Sequence, residues 1–355
     1  MSRDPLLSVE DLTVHFDTPG GTIKAVESVS FEVYPSETVC LVGESGSGKT
    51  VAGETLTRLI PSPPGRVVDG SVRFGGLDLT TIDGGELRSI RGNRIGHVFQ
   101  NPQNALDPAY TVGDQVAETI ELHEDADDAH ERAVELLDQV DLPRPATAAG
   151  KYPHELSGGV KQRVVIATAL AADPDLLIAD EPTTALDVVT QAQILRLLAD
   201  LQAERDLSVL FVTHDLGVVS AVADRVVVVY AGRVMERGPT GAVLEDPAHP
   251  YTRALLASLP GRGESMESLQ GSFPDPVDRP EGCRFHPRCP HAIDECREAV
   301  PPEHEVSGSR SAAPSGNGHR SAACIYYGPD HDPGDLETRT NESNTTDRRR
   351  DGDAP

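Results

Sequence analysis

The run Gly43-Glu44-Ser45-Gly46-Ser47-Gly48-Lys49-Thr50 leaves this chain few architectures to choose from. It fills the pattern G-x-x-x-x-G-K-[ST] completely, and that pattern works only between a buried strand and a helix. The flanks comply. Val39-Cys40-Leu41-Val42 reads as the strand entering the loop, and Val51 to Ile60 as the helix leaving it. Glycines let the backbone curl until successive N–H groups point inward at phosphate oxygens, and the helix N-terminus adds partial positive charge. In such a cradle Lys49 reaches the β and γ phosphates and Thr50 ligates Mg²⁺. The implied fold class is α/β, with a nucleotide site at the end of a parallel strand.

A second anion site follows. Leu156-Ser157-Gly158-Gly159-Val160, then Lys161-Gln162-Arg163 and the apolar helix Val164 to Ala172, has an N-capping serine and two glycines that leave backbone N–H groups bare. This stretch resembles the signature motif of ATP-binding cassette (ABC) proteins. The resemblance implies a phosphate-loop ATPase with an antiparallel β-subdomain and a helical subdomain. It also implies a head-to-tail dimer, in which Ser157, Gly158 and Gly159 of one subunit close on the ATP held by the other. Val160 departs from the glutamine most often found there, at a position past the phosphate-contacting residues.

Leu176-Leu177-Ile178-Ala179-Asp180-Glu181 reads as a buried parallel strand ending in two carboxylates. A strand-end acidic pair can simply cap a turn. Beside a phosphate loop, Asp180 would hold Mg²⁺ through its water shell and Glu181 would act as general base. The family resemblance extends to other positions. Ala185-Leu186-Asp187 resembles the D-loop that crosses the dimer interface, and His214, after Val209-Leu210-Phe211-Val212-Thr213, resembles the switch histidine on the γ-phosphate. Gln100, in His97-Val98-Phe99-Gln100-Asn101-Pro102, resembles the Q-loop glutamine that senses Mg²⁺ and links the core to the helical subdomain. Phe16 falls where the family stacks an aromatic on adenine, although an apolar strand residue is more often core.

Asp and Glu outnumber Lys and Arg 57 to 31, for a net charge of −26, which argues against a nucleic-acid partner. The lysines are Lys24, Lys49, Lys151 and Lys161, so nearly every cation is arginine. This pattern resembles proteins of salt-loving cells, where concentrated salt screens an acidic surface. An ordinary acidic cytosolic protein is the alternative. There is no apolar run long enough to span a bilayer and no signal peptide, so the expectation is a chain peripheral to the cytoplasmic face of a membrane.

Organisation follows from composition. The ABC resemblance covers residues 6–258, with a helical subdomain at about 101–172. Strand–helix alternation ends near Leu259-Pro260, where Gly and Pro become dense. Tyr152-Pro153-His154-Glu155 and His249-Pro250-Tyr251-Thr252-Arg253-Ala254-Leu255-Leu256 resemble the subfamily that drives oligopeptide, dipeptide and nickel importers. That likeness extends through an irregular extension, 259–327, beyond which 328–355 reads as a disordered tail. Every catalytic motif precedes Leu259, so hydrolysis by the isolated subunit is expected to survive loss of any metal centre in the extension, with assembly or transport suffering instead.

Cys40 reads as a core residue. Cys283, Cys289, Cys296 and Cys324 all fall in the extension, which favours a metal site over disulfides. Soft thiolates select zinc or iron–sulfur. The spacing lacks the close pairs of zinc sites, while His286 and His291 keep zinc open, as are free thiols or a disulfide. A comparable cysteine set in the peptide-importer subfamily implies an iron–sulfur element, [4Fe-4S].

The resemblance implies further partners: a second copy or a related ATPase, two membrane-spanning permease subunits, and a solute-binding protein. Nickel import is the nearest alternative to peptide import. A non-transport ABC ATPase is disfavoured, because no long coiled coil is inserted and only one cassette is present. A sensor that has lost hydrolysis is disfavoured by Glu181 and His214.

Overall fold

The computed structural model describes residues 4–100, 105–124, 127–184, 186–259, 271–306 and 319–336. Asn101, Pro102, Ala185, Pro260 and the tail beyond 336 lie outside the described residues.

Twelve strands among the described residues form two sheets. β1 (Leu7–Thr18), β2 (Gly21–Val33), β4 (Gly65–Phe74) and β5 (Leu77–Asp78) make an antiparallel sheet in the order β2-β1-β4-β5. The larger sheet is built on β3 (Thr38–Val42), β6 (Ile95–Val98), β7 (Leu176–Asp180), β8 (Ser208–Thr213) and β9 (Arg225–Tyr230). These five run parallel in the order β9-β3-β8-β7-β6. β3, β7 and β8 are buried at every position, as the continuous apolar runs predict for a sheet covered on both faces. The pleat sorts their side chains into two cores. Cys40, Val42, Leu177, Ala179, Val209 and Phe211 face one, and Val39, Leu41, Leu176, Ile178, Leu210 and Val212 face the other.

β10 (Arg233–Pro239) returns antiparallel on β9 through Ala231-Gly232, both at positive φ, which gives the hairpin its turn. The helical subdomain comprises the helices Val112–His123, Ala129–Gln139, Pro145–Ala149 and Gly158–Ala169. Thr111 caps the first of these, its hydroxyl accepting the Asp114 N–H at 3.2 Å.

The described residues beyond 259 pack into the cassette rather than standing apart from it. β11 (His304–Glu305) and β12 (Ser321–Ala322) extend the large sheet, with β12 pairing antiparallel to β10. Phe285, Cys283 and Cys296 join the core under the helical face of the sheet. Leu336, in the region read from sequence as tail, is fully buried against Cys324 and Tyr326. Order therefore continues past Gly328, because one apolar residue among many polar ones is enough to anchor a short turn.

A buried ion pair holds this junction. Glu236 on β10 is fully buried and accepts from the N–H groups of Ala248 and His249, both at 2.9 Å, and from Arg320 Nη2 at 2.9 Å. Removing one partner of such a pair strands a charge in a low-dielectric interior. Arg320→Met should cost about 3 kcal/mol of unfolding free energy. Urea denaturation at constant high KCl measures it, and an unchanged midpoint would show that the pair contributes nothing net.

Candidate functional site

The loop after β3 begins the helix Lys49–Leu56, and Gly48 stands at its N-cap with φ of 100°. A Cβ there would lie 2.3 Å from the Ala25 carbonyl oxygen, so the turn requires glycine twice over. Gly43 and Ser47 are buried, while Ser45 and Gly46 form the exposed crest. Lys49 Nζ curls back over the loop and donates to the carbonyls of Gly43 at 2.8 Å and Glu44 at 2.9 Å and to the Ser47 hydroxyl at 3.1 Å. Burial pulls its ammonium down to about 8, against the attraction of Glu181, Asp180 and Glu44.

Thr50 Oγ1 donates to Asp180 Oδ1 at 3.2 Å, joining the loop to the end of β7. Burial raises the Asp180 carboxyl to about 6, and the nearby Glu181 and Glu54 charges push the same way. These hard oxygen donors, crowded by negative charge, suit Mg²⁺, which would relieve the repulsion.

Glu181 follows with φ of 45°, a left-handed conformation that costs a non-glycine residue about 1 kcal/mol. Its N–H is nevertheless held by the Val212 carbonyl at 2.8 Å. Gln100 Nε2 donates to Glu181 Oε2 at 2.9 Å and Thr184 Oγ1 donates to the same oxygen at 2.8 Å. His214 Nδ1 lies 2.8 Å from Oε1. Burial alone would raise the Glu181 carboxyl, but these three bonds more than offset it and hold the group ionised. Gln100, expected beside Mg²⁺, is here engaged with Glu181. Thr184 went unremarked in the sequence, where nothing distinguishes a hydroxyl that serves a neighbour three residues back.

The remaining candidates lie apart from this group. Ser157 caps the helix Gly158–Ala169 in backbone conformation only, with its side chain uncommitted and exposed, contrary to the capping role expected of it. Gly159 packs on Thr190, where a Cβ would come within 2.5 Å, and Gly158 faces Leu186. Asp187 caps the helix Val188–Arg205 through the N–H groups of Val189 and Thr190. Val188 and Val189 beside it are 81% and 67% exposed. Phe16 is half-buried on β1, its ring close over Gly65 of β4.

The extension meets the phosphate loop directly. Arg288 Nη1 donates to Glu44 Oε1 at 2.9 Å, and Phe273 lies 3.8 Å from where a Cβ on Gly46 would stand. The four extension cysteines lie close enough for their charges to couple. Burial pushes the Cys283 thiol up to about 11 and those of Cys289 and Cys324 up to about 12. Among the described residues, no three Cys, His, Asp or Glu side chains close around a point that would hold one ion.

A phosphate loop, an adjacent Asp–Glu pair and a histidine on one edge of a parallel sheet define a nucleotide-hydrolysing cassette. Comparison with known proteins narrows the class. Residues 26–184 match the ABC transporter family and 235–296 match the oligopeptide/dipeptide transporter C-terminal region. A Brucella abortus (strain 2308) protein, provisionally named a peptide import ATP-binding protein, is 47% identical over 343 residues, covering 92% of this chain and 98% of that one. Bacillus subtilis (strain 168) OppD, an oligopeptide transport ATP-binding protein, is 47% identical over 308 residues, covering 85% and 86%. Among solved structures, the dimeric ATP-binding cassette MJ0796 with ADP and Pi aligns with a TM-score of 0.59 at 30% identity, covering 66% of this chain and 98% of that one. Clostridium perfringens cbiO1 aligns at 0.59 and 26%, covering 73% and 96%. The chain belongs to the ABC transporter ATP-binding family, in its oligopeptide/dipeptide branch. No helix among the described residues is long and apolar enough to cross a membrane.

The Lys49 environment predicts a pH dependence. Without Mg²⁺, ATP binding needs the charged ammonium, which is lost as pH rises through about 8. Affinity for a fluorescent ATP analogue should then fall by up to about tenfold per pH unit above that point, the slope of one proton. Lys49→Arg stays charged and should give a flat profile. A wild-type profile flat to pH 10 would refute the assignment.

Proposed function

We propose that this chain is the ATP-hydrolysing subunit of a peptide importer, coupling ATP binding and hydrolysis to the movement of two permease subunits. One observation carries the reading: Lys49, Thr50, Asp180, Glu181, Gln100 and His214 meet at one sheet edge, joined by hydrogen bonds from Thr50 to Asp180 and from Gln100 and His214 to Glu181. Lys49 and the loop N–H groups bind the phosphates, and Thr50 and Asp180 hold Mg²⁺, which supplies charge neutralisation when bound. Glu181, kept ionised by its three partners, takes the proton of the attacking water. His214 and Gln100 orient that carboxylate, and Phe16 offers a face to adenine.

Ser157, Gly158, Gly159 and Asp187 serve the neighbouring subunit's ATP in a head-to-tail dimer, with a second copy or a related ATPase. The exposed Ser157 and Asp187 side chains and the exposed Val188-Val189 pair support this. A cavity of about 320 Å³ lined by Phe99, Leu106, Val165 and others, between core and helical subdomain, supports this face as the permease seat. The subunit then works at the cytoplasmic face of the membrane, with a solute-binding protein delivering peptide outside. The acidic, lysine-poor surface we assign to a concentrated-salt interior.

Cys283, Cys289, Cys296 and Cys324 we assign to a [4Fe-4S] cluster, because four thiols whose charges reach one another gather in the extension and four cysteines are the ligand set of such a cluster. Bound there, it would crosslink the extension.

Glu181→Gln should keep ATP affinity within about threefold, lose hydrolysis by at least about 10²-fold, and accumulate an ATP-bound dimer. Rapid turnover by this variant would exclude Glu181 as the base. For the cysteines, protein purified anaerobically should be brown, carry iron and sulfide, and lose both on Cys289→Ser. Colourless protein whose four thiols alkylate freely would end that assignment.

A further inference from the structure

Glu44 is the second residue of the phosphate loop, a carboxylate on a surface that must receive a triphosphate. Left unopposed, it would repel that ligand and compete for Lys49, whose ammonium its charge already reaches. The opposing charge comes from the far end of the chain. Arg288 Nη1 donates to both carboxylate oxygens of Glu44, at 2.9 and 3.2 Å, and to the Tyr230 hydroxyl at 3.1 Å. The Arg288 side chain is only 4% exposed, so the pair is shielded from solvent on the arginine side. The Glu44 N–H is spent as well, donating to the Tyr251 hydroxyl at 2.9 Å. The rings of Tyr230 and Tyr251 lie 4.5 Å apart, and Phe285, three residues before Arg288, packs on both. Aromatic packing thus sets the height from which Arg288 reaches the loop.

We propose that Arg288 is a positioning residue of the nucleotide site, cancelling the carboxylate of Glu44 and bracing the first half of the phosphate loop against the C-terminal extension. The inference rests on the ATPase reading of the same site. It makes the extension part of the nucleotide machinery, and it locates the link in one ion pair rather than in the metal chemistry of the cysteines. Arg288 acts through Glu44, so its loss should weaken ATP binding more than it slows the chemical step.

The test uses the full chain, a fluorescent ATP analogue with Mg²⁺, and steady-state hydrolysis at fixed high KCl. Arg288→Gln should raise Kd and KM about tenfold and leave kcat within about threefold. The double variant Glu44→Gln/Arg288→Gln should return Kd to within about twofold of wild type, because the charge in need of cancelling is gone. A purely architectural arginine predicts otherwise: the second substitution would then add damage or change nothing, and that result overturns the proposal, as does an unchanged Kd in Arg288→Gln. Should Arg288→Gln fail to fold, Arg288→Lys decides. Retention of Kd within about threefold supports charge cancellation, and a tenfold loss overturns it. Wild-type protein that binds no ATP analogue would instead sink the ATPase reading itself, whatever Arg288 does.

Discussion

Five parallel strands with a common direction are the constraint on which this molecule depends. Because β9, β3, β8, β7 and β6 all run the same way, their carboxyl ends lie along one edge of the sheet, where the crevices of parallel α/β sheets collect ligands. The phosphate loop follows β3, the Asp180–Glu181 pair closes β7, His214 comes one residue after β8, and Gln100 comes two residues after β6. Sequence separations of up to 130 residues thereby become hydrogen-bond distances, with no group needing a long reach. The backbone pairing is itself indifferent to chemistry. What converts it into a site is that each strand delivers its polar residue at the same end, just where its apolar run stops.

The site carries an imbalance that packing has not removed. The Asp180 carboxyl is raised by burial and by neighbouring carboxylates, the Lys49 ammonium is lowered by burial, and the Glu181 carboxyl is lowered by the hydrogen bonds it accepts, against its burial. Each group's affinity for its proton is thus shifted from the ordinary value by its neighbours. A phosphate-bound magnesium ion would satisfy all three together, which is how binding energy becomes available for changing shape.

The strands and the phosphate loop were legible because they are local. Val39 to Val42 and Leu176 to Ala179 are apolar runs bounded by glycine or acid, and residues 43–50 form a complete motif, so neighbours in sequence carry the information. β4 is far harder to read, because from Gly65 onward Arg66, Asp69 and Gly70 hide its pattern behind charge and a turn. The N-cap at Ser157 was read from residue type, and the helix there starts as expected while the hydroxyl stays free. What could not be read was the placement of the extension. Arg288 stands in a Pro-rich stretch that resembles its surroundings, and its partner Glu44 lies 244 residues away, so no window on the chain contains both. The same holds for Glu236 and Arg320, two charges whose burial only the tertiary fold decides.

That 244-residue separation bears on the order in which the molecule is made. Synthesis proceeds from the N-terminus, and the phosphate loop leaves the ribosome long before Phe273, Arg288 and β12 exist. Until they arrive, the floor under Glu44 lacks its brace and the edge of β10 is bare, open to pairing with another chain. A nascent subunit would therefore display a complete-looking nucleotide motif in an unfinished frame. The described residues from 271 onward seal the sheet edge and complete the loop's support together, so the nucleotide motif gains its brace only as that edge closes.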